Sequence, residues 1–189
     1  MRRRRPRAPS FSRRGRRGWA LVLTLLAVVS VVAALPYAIA SKDARRPVQE
    51  ALHVRLTLPP GTSLDDLKEA RVEEVLDGDT IDVILDGRLT RVRYYGVDTP
   101  ERGDRCFREA TDRNESLVGG RVLLLPDARD EDAFGRELRY VFTREGVSVD
   151  ATLVAEGFGQ AWRQDGRYRD DIIGLEGEAQ AAGRGCLWR

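Results

Sequence analysis

The 189-residue chain is 42% hydrophobic and 33% charged, enough apolar side chain for one folded domain with accessory segments and not for two large domains. Its formal charge of +2 is unevenly spread: residues 1–17 hold nine Arg and no acid, residues 18–40 hold no charged side chain, and the remaining 23 basic and 30 acidic groups put the chain from Ser41 onward at −7. A domain of that sign does not bind polyanions through bulk positive charge. One His and two Cys exclude a zinc ribbon or finger, which needs four such ligands. The single His53 lies in linker-like sequence, which argues against a Ser-His-Asp hydrolase.

Residues 1–40 have the parts of an export signal: an Arg-rich flank, an apolar run from Trp19 to about Ala40, and small residues at Ala38-Ile39-Ala40 where a peptidase can cut. Cleavage there predicts a secreted protein. Without cleavage the same run is long enough for a single membrane anchor, and in both cases the folded part is outside the cytoplasm. Residues 41–69 mix charge with Pro47, Pro59, Pro60 and Gly61 and read as a linker, with at most a short strand at His53–Leu58 and a helical turn at Ser63–Glu69. The domain is expected over 70–189.

Strand signals then follow closely. Arg71–Leu76 alternates, Asp77-Gly78 turns, Thr80–Leu85 is β-branched and apolar, and Asp86-Gly87 is a strong hairpin signal before a third strand over Leu89–Val97. On a regular strand Arg93 and Asp98 would face opposite sides, and Gly96 between them offers a place for a bulge or bend. A helix is predicted from Arg105 to Val118, ended by Gly119-Gly120. Strands follow at Arg121–Leu125 and Leu138–Thr143, then a short helix over Asp150–Glu156 and a last one from Asp170 or Asp171 to Gly183. Five strands with a helix between the third and fourth predict a mainly β, α+β fold: an OB-type five-stranded barrel with about three helices. No long exposed apolar pattern demands a partner, so a monomer is expected.

Asp77, Asp79, Asp98 and Glu101 with Arg93 among them are the charges that a metal-assisted attack on a phosphodiester needs. Asp77-Gly78-Asp79-Thr80-Ile81, Arg93, and Val97-Asp98-Thr99-Pro100-Glu101 resemble the first signature of the thermonuclease family, the staphylococcal-nuclease-like domains. Asp132-Ala133-Phe134-Gly135-Arg136 resembles the second, and Glu178-Ala179-Gln180 with Leu187-Trp188 the closing helix and tail. Two spaced signatures in a matching strand order make the resemblance specific over roughly Val72 to Trp188.

The resemblance implies Ca²⁺ held by the Asp79 and Asp98 carboxylates and the Thr99 backbone carbonyl, an oxygen set that suits a hard cation. It implies Arg93 and Arg136 on the phosphoryl group, Glu101 as base or water-orienting group, DNA and RNA as substrates, and 3′-phosphate products. Asp77 alternatively does no more than close the Gly78 turn. Phe134 is either a core residue or a base-stacking one, and Trp162 and Tyr168 are candidate substrate contacts. They flank Arg163 and Asp165, which stand where the family's best-known members carry Tyr. Outside the cytoplasm Cys106 and Cys186 are expected to form a disulfide, with two unpaired core thiols as the alternative. A domain that binds nucleic acid or protein without cutting it is the rival reading of the whole chain.

Overall fold

The computed structural model describes residues 52–189. The expected export or anchor segment and the first part of the expected linker lie outside the described residues. Among the described residues no helix is long and apolar enough to cross a membrane.

Seven strands, three α-helices and a 3₁₀ turn over Leu64–Asp66, inside the helical turn expected at Ser63–Glu69, make up the described body: β1 Lys68–Val75, β2 Thr80–Leu85, β3 Arg88–Tyr94, β4 Val97–Asp98, α1 Phe107–Val118, β5 Arg121–Glu131, β6 Glu137–Phe142, α2 Val149–Ala155, β7 Gln160–Ala161 and α3 Arg169–Ala181. Five of the strands close a barrel in the order β1-β2-β3-β6-β5, the OB-type α+β arrangement expected from the sequence. Closure leaves no free edge on the barrel sheet. All pairings are antiparallel except β3 with β6, which is parallel. The β2–β3 hairpin turns on Asp86 and Gly87, both at positive φ (51° and 80°), which is the geometry that two-residue hairpins favour.

Apolar residues of the strands fill the barrel. Ile81, Val83 and Val92 are fully buried, as are Val122, Tyr140 and Phe142, and α2 closes one end with every residue buried. At about 25 cal/mol per Å² of apolar surface, this continuous cluster is the main stabilising term of the domain.

Three expectations change in detail. The third strand stops at Tyr94, and Val97-Asp98 belongs to a separate two-stranded ribbon with β7. The fourth strand runs past Pro126 to Glu131, with irregular pairing between those residues, where a residue lacking an N–H is tolerated. The described part of the linker-like stretch packs onto the domain. Val54, Leu56, Leu58 and Leu64 lie against the core, and the Ser148 N–H donates to the Val54 carbonyl at 2.8 Å.

Candidate active site

The site starts at the β1–β2 turn. The Asp77 carboxylate accepts from the Asp79 N–H (3.0 Å), closing an Asx-type turn. Its backbone carbonyl accepts from the Asn114 amide of α1 (2.9 Å), and Asn114 accepts in turn from the Tyr94 hydroxyl (2.7 Å). Asp77 thus has the turn-closing role, and α1 locks that turn in place. A Cβ on Gly78 would sit 2.7 to 2.8 Å from the Thr99 side chain, so only Gly lets Thr99 approach.

That approach orients Asp79. The Thr99 N–H and hydroxyl both donate to Asp79 Oδ2, at 2.6 and 2.7 Å. Asp79 Oδ1 faces Arg93 Nε at 3.1 Å. Burial pushes the Asp79 carboxyl up to about 6 against the pull of Arg93, with Asp77 adding repulsion.

A bend at Tyr95-Gly96 carries the chain from β3 into β4 and returns Asp98 to the face of Arg93. The bend is stapled from beneath by Asp150, whose two oxygens accept from the Gly96 and Val141 N–H groups, each at 2.9 Å. Arg93 Nη2 reaches Asp98 Oδ1 at 2.7 Å, while Nη1 donates to the carbonyls of Tyr94 (2.8 Å) and Val97 (2.6 Å). Every nitrogen of the guanidinium therefore meets an oxygen, and two carboxylates bracket it.

Among the described residues no three His, Cys, Asp or Glu side chains cluster as a metal cage. The donors at this place are nevertheless all hard oxygens. Asp98, with its side chain 53% exposed, opens to the cleft, and Thr99 is drawn against Asp79. The set fits a hard cation that takes two protein carboxylates and fills its shell with carbonyl, water or phosphate oxygens.

Arg93, Asp98, Glu101, Phe134, Arg136 and Trp162 line one cleft of about 290 Å³. Glu101 projects from the loop after β4 and is exposed. Arg136 comes from the tip of the β5–β6 hairpin, where its Nε donates to Asp132 Oδ2 (2.6 Å) and its guanidinium lies 5.5 Å from the Phe134 ring. Phe134 is 85% exposed, a surface aromatic and not a core one. A larger cavity of about 490 Å³, lined by Lys68, Asp86, Arg88 and Arg139 among others, holds none of these groups.

Tyr168 is not brought to the cleft. It is buried, its ring meets Tyr140 edge-on at 4.8 Å, and its hydroxyl donates to the Thr57 carbonyl (2.9 Å). It faces inward because the residue before α3 seats that helix on the barrel. The wall beside Trp162 is built instead by Arg129, Tyr95 and Asp165. Arg129 makes a two-pronged pair with Asp165, both contacts 2.9 Å, and its guanidinium stands 5.4 Å from the Tyr95 ring and 5.8 Å from that of Trp162. Trp162 Nε1 also donates to Asp165 (2.8 Å). The hydrogen bonds from Arg129, then those from Trp162 and Tyr95, hold the Asp165 carboxyl down at about 2 against its burial. Arg129 and Tyr95 carried no motif signal, because they meet Trp162 only through the barrel.

Cys106 and Cys186 form a disulfide with Cα atoms 5.6 Å apart. Cys106 caps α1 at φ 81°, a left-handed conformation that costs a non-Gly residue about 1–2 kcal/mol and that the surrounding contacts must hold.

The family model described as "Staphylococcal nuclease homologue" matches residues 91–189. The chain is 34% identical over 119 residues to an endonuclease of Escherichia coli O157:H7, covering 62% of this chain and 75% of the relative. It is 36% identical over 126 residues to endonuclease YncB of Bacillus subtilis (strain 168), 61% of this chain and 59% of the relative. To the thermonuclease of Staphylococcus hyicus it is 33% identical over 119 residues, 58% and 70%.

Proposed function

The chain belongs to the staphylococcal nuclease family, and on that premise we propose that it is an exported, Ca²⁺-dependent endonuclease that hydrolyses single-stranded or frayed DNA and RNA. The observation that carries this reading is the convergence of Arg93, Arg136 and Glu101 on one cleft beside the Asp79–Asp98 pair. Asp79, Asp98 and the Thr99 carbonyl would hold the cation. When bound, Ca²⁺ supplies a hard positive charge that offsets phosphate charge and raises the acidity of a nearby water.

The chain's own groups supply the rest. Arg136 with its planar fork, and Arg93 with the Nη2 N–H that its four protein contacts leave, donate to phosphoryl oxygens, and bind them more tightly as charge builds in the transition state. Glu101 accepts a hydrogen bond from the attacking water, orienting it and taking its proton. The 5′ oxygen leaves and the other fragment keeps a 3′-phosphate, as the resemblance implies. Phe134 and Trp162 offer π-faces to unpaired bases, which favours frayed over fully paired substrate. The export segment places the domain outside the cytoplasm, secreted if cut after Ala40 and tethered if not, and the protein acts as a monomer.

The test is cleavage of single-stranded DNA by purified protein with Ca²⁺ or with a chelator. Activity should require Ca²⁺ and fall by at least about 100-fold in Arg93→Ala, Arg136→Ala and Glu101→Ala. Tight binding of intact substrate by the wild type would replace this reading with that of a non-cutting binding domain.

A further inference from the structure

The loop that carries Glu101 has little structure of its own. Residues 101–105 are all exposed, and the turn at Gly103 has open space around it. Within the loop the Asp104 N–H donates to the Glu101 carbonyl (2.9 Å) and the Phe107 N–H to the Asp104 carbonyl (3.4 Å). Its position is set from its two ends. At one end Thr99 is bound to Asp79 through two hydrogen bonds. At the other end stands Cys106, buried and in the left-handed region.

Two things hold Cys106: the first turn of α1, where the Ala110 N–H donates to the Cys106 carbonyl (3.0 Å), and the chain's tail. The tail is fixed to the end of α2: the Leu187 N–H donates to the Gly157 carbonyl (3.2 Å), and Arg184 Nη1 donates to the Ala155 carbonyl (3.1 Å). Gly185 lies so close that an added Cβ would be 2.1 Å from the Gly157 oxygen. Leu187 then lines a second hollow together with Asp98, Thr99 and Glu101, and Arg105 Nη2 donates to the Arg189 carbonyl (2.9 Å). The disulfide joins this fixed tail to the end of the loop at which α1 begins.

We infer that the Cys106–Cys186 disulfide is a positioning element of the nuclease site: it sets the place of Glu101, and its reduction lowers turnover while the barrel stays folded. The inference rests on the nuclease reading above. In the reduction, a dithiol's thiolate attacks the sulfur of Cys186, the less buried of the two residues, and Cys106 leaves as thiolate and takes up a proton. The dithiol's second thiol then resolves the mixed disulfide, so that two electrons pass to the protein, which ends with two thiols while the reagent ends as its cyclic disulfide. Turnover depends on ångström-scale placement, whereas phosphate binding by Arg93 and Arg136 does not involve the loop. The effect therefore falls on kcat and not on KM.

The experiment uses the full chain with Ca²⁺ and a single-stranded oligonucleotide, well below the unfolding temperature, before and after dithiothreitol, with thiol titration to prove reduction. Reduction should lower kcat by about 10- to 100-fold with KM changed by less than about threefold, far-UV circular dichroism unchanged, and full recovery on reoxidation. The Cys106→Ser/Cys186→Ser double variant should match the reduced protein and ignore the reductant. In Glu101→Ala the residual turnover should not fall further on reduction, because the bridge acts through Glu101. An oxidised chain that cleaves, with a fully reduced chain that cleaves equally well, overturns this inference alone, as does loss of helix and sheet signal in step with activity. An oxidised chain that cleaves nothing overturns the nuclease reading and this inference with it.

Discussion

Arg93 Nη2 lies 2.7 Å from Asp98 Oδ1, although the two residues are five apart on a chain whose regular strand would point them to opposite faces. Gly96 is what permits the contact. A Cβ there would stand 2.5 Å from Ile172 Cδ1 and 3.3 Å from Asp150 Cβ, so Gly96→Ala must displace the buried Ile172 side chain or shift the bend. The substitution should destabilise the protein by about 1–3 kcal/mol and lower turnover together with stability. Thermal unfolding and cleavage assays check both, and a stable variant with altered turnover would show that the bend moved and the core did not.

Asp150 predicts a pH dependence of stability. Burial pushes its carboxyl up to about 6, against the hydrogen bonds from the Val141 and Gly96 N–H groups and the more distant Arg93. The folded chain thus binds this proton more tightly than the unfolded one. Its contribution to stability is present below the ordinary value of 3.8 and is lost as pH rises through about 6. Urea unfolding should therefore show this term favouring the fold by about 1 kcal/mol on going from pH 7 to pH 5, a part of the roughly 3 kcal/mol that is present in full only below 3.8. Asp150→Asn should remove the term and cost about 1–3 kcal/mol near neutrality, because the amide NH₂ that replaces one carboxylate oxygen faces a backbone N–H and cannot accept from it. Identical pH profiles for the two proteins would refute it.

Asp165 predicts the opposite slope. Its carboxyl is held down at about 2, first by Arg129, so its stabilisation is present above the ordinary carboxylate value and is lost as pH falls toward 2. With side chains 37% and 40% exposed, the pair is screened and contributes no more than about 1 kcal/mol. The sharper readout is Trp162 fluorescence, taken as the difference from Trp162→Phe. It should shift between pH 4 and pH 2 in the wild type and be already shifted at pH 7 in Asp165→Ala.

The hairpin tip separates two effects. Phe134→Ala should raise KM by about 5- to 100-fold, the loss of one base–aromatic stack, with kcat nearly intact. Arg136→Lys should lower kcat because a point charge does not replace the planar fork. A Phe134→Ala variant impaired only in kcat would instead assign the ring to support of Arg136, over which it lies.

The barrel strands were legible because Thr80–Leu85 is β-branched and apolar and Arg71–Leu76 alternates, and the hairpin because Asp86-Gly87 accepts positive φ. The local half of the site, Asp77 to Glu101, was legible for the same reason: its partners are close in sequence. The packing of residues 52–58 was less visible. Leu52, Val54, Leu56 and Leu58 do alternate with exposed residues, but Pro59 and Pro60 gave the stretch the composition of a linker. The wall formed by Tyr95, Arg129 and Asp165 could not be read at all. One residue comes from a bend, one from the overlong β5 and one from the loop before α3, and only closure of the barrel makes them neighbours. Tyr168 shows the converse error, an aromatic close in sequence to Trp162 whose ring points into the core.

The parallel pairing of β3 with β6 sets Arg93 opposite Leu138, and the small ribbon sets Val97 opposite Ala161. Such distant pairings form slowly, because the intervening loop must be ordered before any contact rewards it. The arrangement that brings Arg93, Asp98 and Arg136 together is therefore among the last things the chain acquires on folding. A partly folded chain holds the hairpins but not the cleft, so in a refolding time course cleavage should appear after most of the sheet signal has already returned.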